Sequence, residues 1–186
     1  MKLEAGMKLY HGSYTIVKKP NLSACKPTKD FGLGFYLTTD INQAKRFVKT
    51  AVQKAIKNGV TVENTNTGFV SVFELSDPSG IRIFEFAGAD REWLHCVAAH
   101  RSNKLFSDEI EKWSGFDVIA GKIANDNTNM VITTYMNGLY GPVGSDRADD
   151  TAIGLLLPNK LTDQICFKTD KSLGKIKFVS SIECQF

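Results

Sequence analysis

No disulfide framework, membrane span or strongly charged face can be read from these 186 residues. The four cysteines, Cys25, Cys96, Cys166 and Cys184, are scattered without a C-x-x-C pair, and a chain of this size needs no covalent staples. They read as reduced thiols, so a cytoplasmic protein is expected. The longest aliphatic cluster, residues 153–157, is far too short to cross a bilayer, and residues 1–7 lack the apolar stretch of a secretory signal. Export by a route that uses no such signal stays open. Lys and Arg number 23 against 20 Asp and Glu, and the resulting +3 is too small an excess to argue for nucleic acid by itself. There is no internal repeat and no low-complexity tract. With 42% hydrophobic residues, the composition suits one globular domain over residues 1–186.

What is present is a mixture of strand and helix signals without regular βαβ alternation. Residues 8–11 and 34–38 read as strands. Asp40 is an N-cap for a helix over 41–58, with Gln43 completing a capping box and Gly59 as the stop. Along that helix Ile41, Ala44, Phe47, Val48, Ala51 and Ala55 form one apolar stripe, which turns Phe47 inward. Apolar strands at 69–75 and 81–86, joined by Asp77-Pro78-Ser79-Gly80, are expected to pair as a hairpin. Helices at 92–101 and 108–113 and a strand at 116–120 follow, and 128–137 fits either helix or strand. Residues 138–150 read as a polar loop, 151–157 as a helix ended by Pro158, and 164–167 and 177–184 as closing strands. The architecture expected is α+β, on antiparallel or mixed sheets with peripheral helices. The pattern does not fix strand order.

Chemistry concentrates early in the chain. Tyr10-His11-Gly12-Ser13 places an imidazole beside a bare backbone amide at the end of a short strand. Gly32-Leu33-Gly34-Phe35-Tyr36-Leu37-Thr38-Thr39 supplies a glycine-spaced aromatic strand that lets backbone approach a ligand. Phe47 lies eleven residues beyond Tyr36, so two rings can bracket one flat ligand. Taken singly, each residue has a plainer explanation: His11 as a satisfied structural histidine, Tyr36 as core packing with its hydroxyl tied down, Phe47 as core. His95 and His100 are five apart on a helix and diverge around it, so no metal site is expected. Cys166 on an apolar strand has nothing local to activate it as a nucleophile.

In order and spacing these motifs resemble the nicotinamide-binding half of the ADP-ribosyltransferase superfamily, in the His-Tyr-Glu class that includes diphtheria-type toxins and the poly(ADP-ribose) polymerases. The resemblance covers residues 8 to 48 and the strand at Gln164; the chain as a whole is similar to a bacterial family of uncharacterised domains assigned to that superfamily. It implies two sheets forming a cleft for NAD, used as a substrate. His11 would hydrogen-bond the adenosine ribose, and Gly12, with Ser13 beside it, would hold the nicotinamide carboxamide through its backbone. Tyr36 and Phe47 would flank the ring, whose cationic form gains about 0.5–2 kcal/mol against an aromatic face. The family's second aromatic is usually a tyrosine, and Phe47 keeps the ring without the hydroxyl.

The third member of the class is a glutamate at the start of a late strand, and the matching position here holds Gln164. A carboxylate there stabilises an oxocarbenium-like transition state, whereas an amide only orients hydroxyls. Nicotinamide leaves as a neutral molecule and needs no general acid, so single transfer of ADP-ribose is expected and chain elongation is not. Asp126 and Glu183 are candidates for the missing acid, against plainer readings as a capping or turn residue and a solvated strand charge. The resemblance further implies a macromolecular acceptor, for which the 138–150 loop is the expected mobile recognition element, and a toxin-like role with a small neutralising partner protein. A non-catalytic NAD or ADP-ribose binding module and a small basic nucleic-acid-acting protein remain the alternatives.

Overall fold

The protein is described here by a computed structural model, which covers residues 2–61, 65–102, 104–123, 126–157 and 161–186 and, at 126 and 127, the backbone alone. Two sheets carry an α+β fold. In the first, β3 (Thr67–Leu75) runs between β1 (Lys8–Ser13) and β7 (Ile176–Gln185), all antiparallel. The second is mixed, in the order β2 (Phe35–Leu37), β6 (Asp163–Phe167), β5 (Val118–Lys122), β4 (Ile83–Glu85), with only the β4–β5 pair parallel. Facing side chains of the two sheets, among them Leu9, Phe35, Leu37, Phe73, Val118, Ile165 and Phe167, fill the core between them.

The outer faces are covered by helices. α1 (Ile41–Lys57) lies on the three-stranded sheet through Ala44, Val48 and Val52 against Val70. α2 (Arg91–Arg101), α3 (Ile110–Ser114), α4 (Asp126–Met136) and α5 (Asp146–Leu156) gather on the other sheet around Trp93, Trp113, Ile132 and Tyr135. A short α6 (Asp170–Leu173) precedes β7.

Several expectations from the sequence are corrected. The strands at 69–75 and 81–86 do not form a hairpin. β3 is central in one sheet, and Asp77 to Gly80 carries the chain across to the other, where β4 pairs with β5. Phe47 does not turn inward and is 43% exposed. Gly12 explains why: a Cβ there would lie 2.3 Å from the Ala44 carbonyl oxygen, so helix and sheet touch too closely for a large ring between them. The buried line is Ala44, Val48, Val52 and Ala55, one helical step away from Phe47. Asp40 does cap α1 by accepting from the Asn42 amide, yet Gln43 bonds the Thr38 hydroxyl and does not close a box. Residues 146–150 of the expected loop belong to α5, started by the Ser145 side chain. The ambiguous 128–137 segment is helical, as α4. Pro158, expected to end α5, lies outside the described residues, and the helix stops at Leu156.

Candidate functional site

β1 and β2 meet at a single antiparallel bridge, which joins the two sheets. Tyr10 donates its amide to the Thr38 carbonyl at 2.8 Å and receives the Thr38 amide at 3.0 Å. A continuing ladder would next pair Gly12 with Tyr36. That pair is not made. The His11 imidazole takes the Tyr36 carbonyl instead, Nδ1 to O at 2.8 Å, and the strands part.

The alternation of a strand has a consequence for Gly12. Tyr10 points its amide and carbonyl toward β2, so Gly12, two residues on, points its own toward the same edge. There they meet no backbone partner on β2. A donor and an acceptor are thus left side by side, buried, on the edge of β1 that faces β2, where such groups demand a partner.

His11 lies on the inter-sheet face of β1, with its ring 4.5 Å from that of Phe35. Burial pushes its pKa below the ordinary 6.5, while the bond to the Tyr36 carbonyl pulls it back up. With Nδ1 donating to a carbonyl, the neutral ring leaves Nε2 as an acceptor. Tyr36 points the other way. Its phenol donates to the Gly32 carbonyl at 2.8 Å and accepts from the Phe31 amide at 2.9 Å, and its ring lies along that of Phe31. Burial and the neighbouring Cys166 thiol hold the phenol far above its ordinary value, so it stays protonated. The ring itself remains half-buried, a fixed aromatic wall. Imidazole and phenol therefore lie on opposite faces of β2 and do not face one another.

Gln164 belongs with Tyr36. Tyr36 pairs with Cys166, so Gln164, two residues earlier on β6, is Tyr36's diagonal neighbour on the same face. Sequence reasoning missed what holds it. Asp30, nearly buried, accepts from Gln164 Nε2 at 2.7 Å, and the Lys122 carbonyl accepts from the same nitrogen at 3.2 Å. Asp30 in turn takes the Arg101 guanidinium, Nη2 at 2.6 Å and Nε at 2.9 Å, which fixes the β1–β2 connection to α2. The signal available was slight: an acid next to the aromatic Phe31, two residues before the glycine-spaced strand.

The other candidates separate. Ser13 ends β1 opposite Phe69, nearly buried. Phe47 presents its ring on α1 with the Lys54 ammonium 5.8 Å from its centroid. Asp126 begins α4, and its side chain lies outside the described residues. Glu183 does not join the site: its register partner is Phe69, which puts it two strands from Ser13. It lines an open groove of about 550 Å3 between α1 and the end of β7, with Lys45, Arg46, Lys49 and Phe186. Cys166 is a buried thiol raised by burial to about 12, which removes it as a nucleophile. Among the described residues no three His, Cys, Asp or Glu side chains are grouped to hold a metal, and no helix is long and apolar enough to cross a membrane.

A second polar cluster lies away from the junction. Asp149, fully buried on α5, accepts from the Tyr135 hydroxyl at 2.6 Å, lies 2.8 Å from His95 Nε2, and takes the Arg91 guanidinium at 3.3 Å. It ties α2, α4 and α5 together.

A family model described as "Protein of unknown function (DUF3990)" matches residues 7–178. The chain belongs to the DUF3990 family. The match takes in the β1–β2 junction, Gln164 and only the first residues of β7, up to Phe178. No curated protein matches the chain.

Proposed function

We propose that this DUF3990 protein is an NAD-dependent mono-ADP-ribosyltransferase acting at the opening between β1 and β2. The observation that carries this reading is the bare edge of Gly12, an amide and a carbonyl turned toward β2 where the ladder stops after one bridge. A carboxamide offers the complementary pair, a carbonyl for the amide and an NH2 for the carbonyl. The half-buried Tyr36 ring lies on the face of β2 turned away from His11, with its hydroxyl tied, and Phe47 is a second, exposed ring on α1. The Tyr36 ring carries no charge that would repel a pyridinium, whereas at Phe47 the Lys54 ammonium, 5.8 Å from the ring centroid, must give way before a second cation stacks there. His11 offers Nε2 to a ribose hydroxyl.

The chemistry asks little of the protein beyond positioning and charge. The bond from ribose C1 to the nicotinamide nitrogen breaks with both electrons going to nitrogen, which turns the pyridinium into a neutral leaving group. The acceptor's oxygen or nitrogen forms the new bond to C1 and gives its proton to solvent. Positive charge on the ribose is highest in between, which is where the Gln164 side of the site acts. With an amide in place of a carboxylate, single transfer is the expected outcome. A module that binds NAD without turnover is the second reading, and the amide at Gln164 is the observation that favours it.

Incubation of the pure protein with labelled NAD and a cell extract tests the assignment. Label carried to protein or nucleic acid supports the transferase, saturable binding without transfer supports the module, and absence of NAD binding favours a nucleic-acid-acting protein. His11→Ala and Tyr36→Ala are each expected to abolish transfer with the circular dichroism spectrum retained; transfer by both variants contradicts the assignment.

A further inference from the structure

We infer that Asp30 is a positioning residue that locks the Gln164 amide so that only its carbonyl oxygen is presented to the ligand. This rests on the proposed transferase site. Amide orientation is ordinarily ambiguous, because oxygen and nitrogen are alike in shape. Here the partners decide it. Both groups around Gln164 Nε2 are acceptors, the Asp30 carboxylate at 2.7 Å and the Lys122 carbonyl at 3.2 Å, so both amide hydrogens are used. Turning the amide over would set its oxygen against a carboxylate and a carbonyl, three acceptors without a hydrogen among them. Oε1 makes no hydrogen bond to a described side chain or backbone group and is left to accept from a ribose hydroxyl.

The lock also changes the oxygen. A hydrogen bond from the NH2 to a carboxylate draws the amide toward its charge-separated form and makes Oε1 more negative. Asp30 is itself held in place by the Arg101 fork, which binds mainly its other oxygen. Gln164 thereby offers an electron-rich acceptor on the face that carries Tyr36, where the family's glutamate would present a carboxylate. Such an acceptor gains strength as the ribose becomes oxocarbenium-like, so its effect falls on turnover more than on binding.

A four-protein comparison tests this: wild type, Asp30→Asn, Gln164→Glu, and the double variant, each measured for nicotinamide release and for NAD affinity. Asp30→Asn places an NH2 group against Gln164, which turns over to meet it and hides its oxygen. The expected result is a fall in kcat of roughly 10- to 100-fold with little change in NAD affinity. Gln164→Glu alone puts two carboxylates together and is expected to lose activity as well. Combining them restores a donor facing an acceptor with a carboxylate at position 164, and activity is expected to return. A merely structural role for Asp30 predicts the reverse, additive losses in the double variant. Wild-type release with Asp30→Asn unaffected in kcat, or a double variant no better than its parents, overturns the inference alone. No NAD cleavage by the wild type overturns it together with the transferase reading.

Discussion

His11 bonds across from the first sheet to the Tyr36 carbonyl of the second, and its protonation is set by where it sits. Burial lowers its pKa from 6.5, so the folded protein resists the proton that the unfolded chain accepts. The sign follows: stability from this group is level above the unfolded pKa and declines as pH falls through 6.5 and below. His100, also lowered by burial, acts in the same direction. Thermal unfolding followed from neutral to mildly acidic pH is expected to show a falling midpoint, with a shallower fall in His11→Gln. An equally steep fall in that variant would show that His11 is not among the titrating groups. Tyr36 carries a separate prediction. Tyr36→Phe strips a partner from the Phe31 amide and the Gly32 carbonyl, and is expected to cost about 1–3 kcal/mol in denaturant unfolding while keeping the ring that NAD would meet.

Among the elements, α1 is held to its sheet by absence of side chain. Gly12→Ala drives a methyl group into the Ala44 carbonyl and is expected to destabilise the fold by about 1–3 kcal/mol. Gly154→Ala on α5 meets nothing within 4 Å and is expected to stabilise by about 0.5–1 kcal/mol, read in the same unfolding experiment. On the far side, Asp149 joins three helices, and Asp149→Ala is expected to cost about 3–5 kcal/mol. The existence of α1 was legible because its cap and period are local. The direction of Phe47 was not, because it depends on a helix-to-sheet distance set by Gly12, far back along the chain. The strand partners of β3 escaped for the same reason: hydrophobic runs identify strands, whereas pairing with β1 and β7 depends on the whole topology. The start of α5 was overlooked because Ser145 and the acids after it look like loop in composition, although they are a cap and a first turn.

For the molecule as a whole, the decisive feature is that two sheets packed on a common core share one backbone bridge, Tyr10 to Thr38, after which their strands no longer pair. His11, Gly12 and Tyr36 stood out in the sequence by motif and spacing and Gln164 only through the family resemblance; His11 and Gly12 lie on β1, while Tyr36 and Gln164 share the other face of the second sheet, on β2 and β6. The facing of imidazole and phenol was not legible, since a register across sheets decides it, nor was Asp30, whose partners Gln164 and Arg101 are remote in sequence. Exposed Lys45, Arg46 and Lys49 along α1 lie outside the opening, in the groove with Glu183. The most direct test is nicotinamide release from NAD by the pure protein, with His11→Ala as its control. Release by the wild type and its loss in the folded variant is the predicted result. Absence of both release and NAD binding in the wild type, or equal release by the two proteins, would contradict the assignment of this opening as an NAD site.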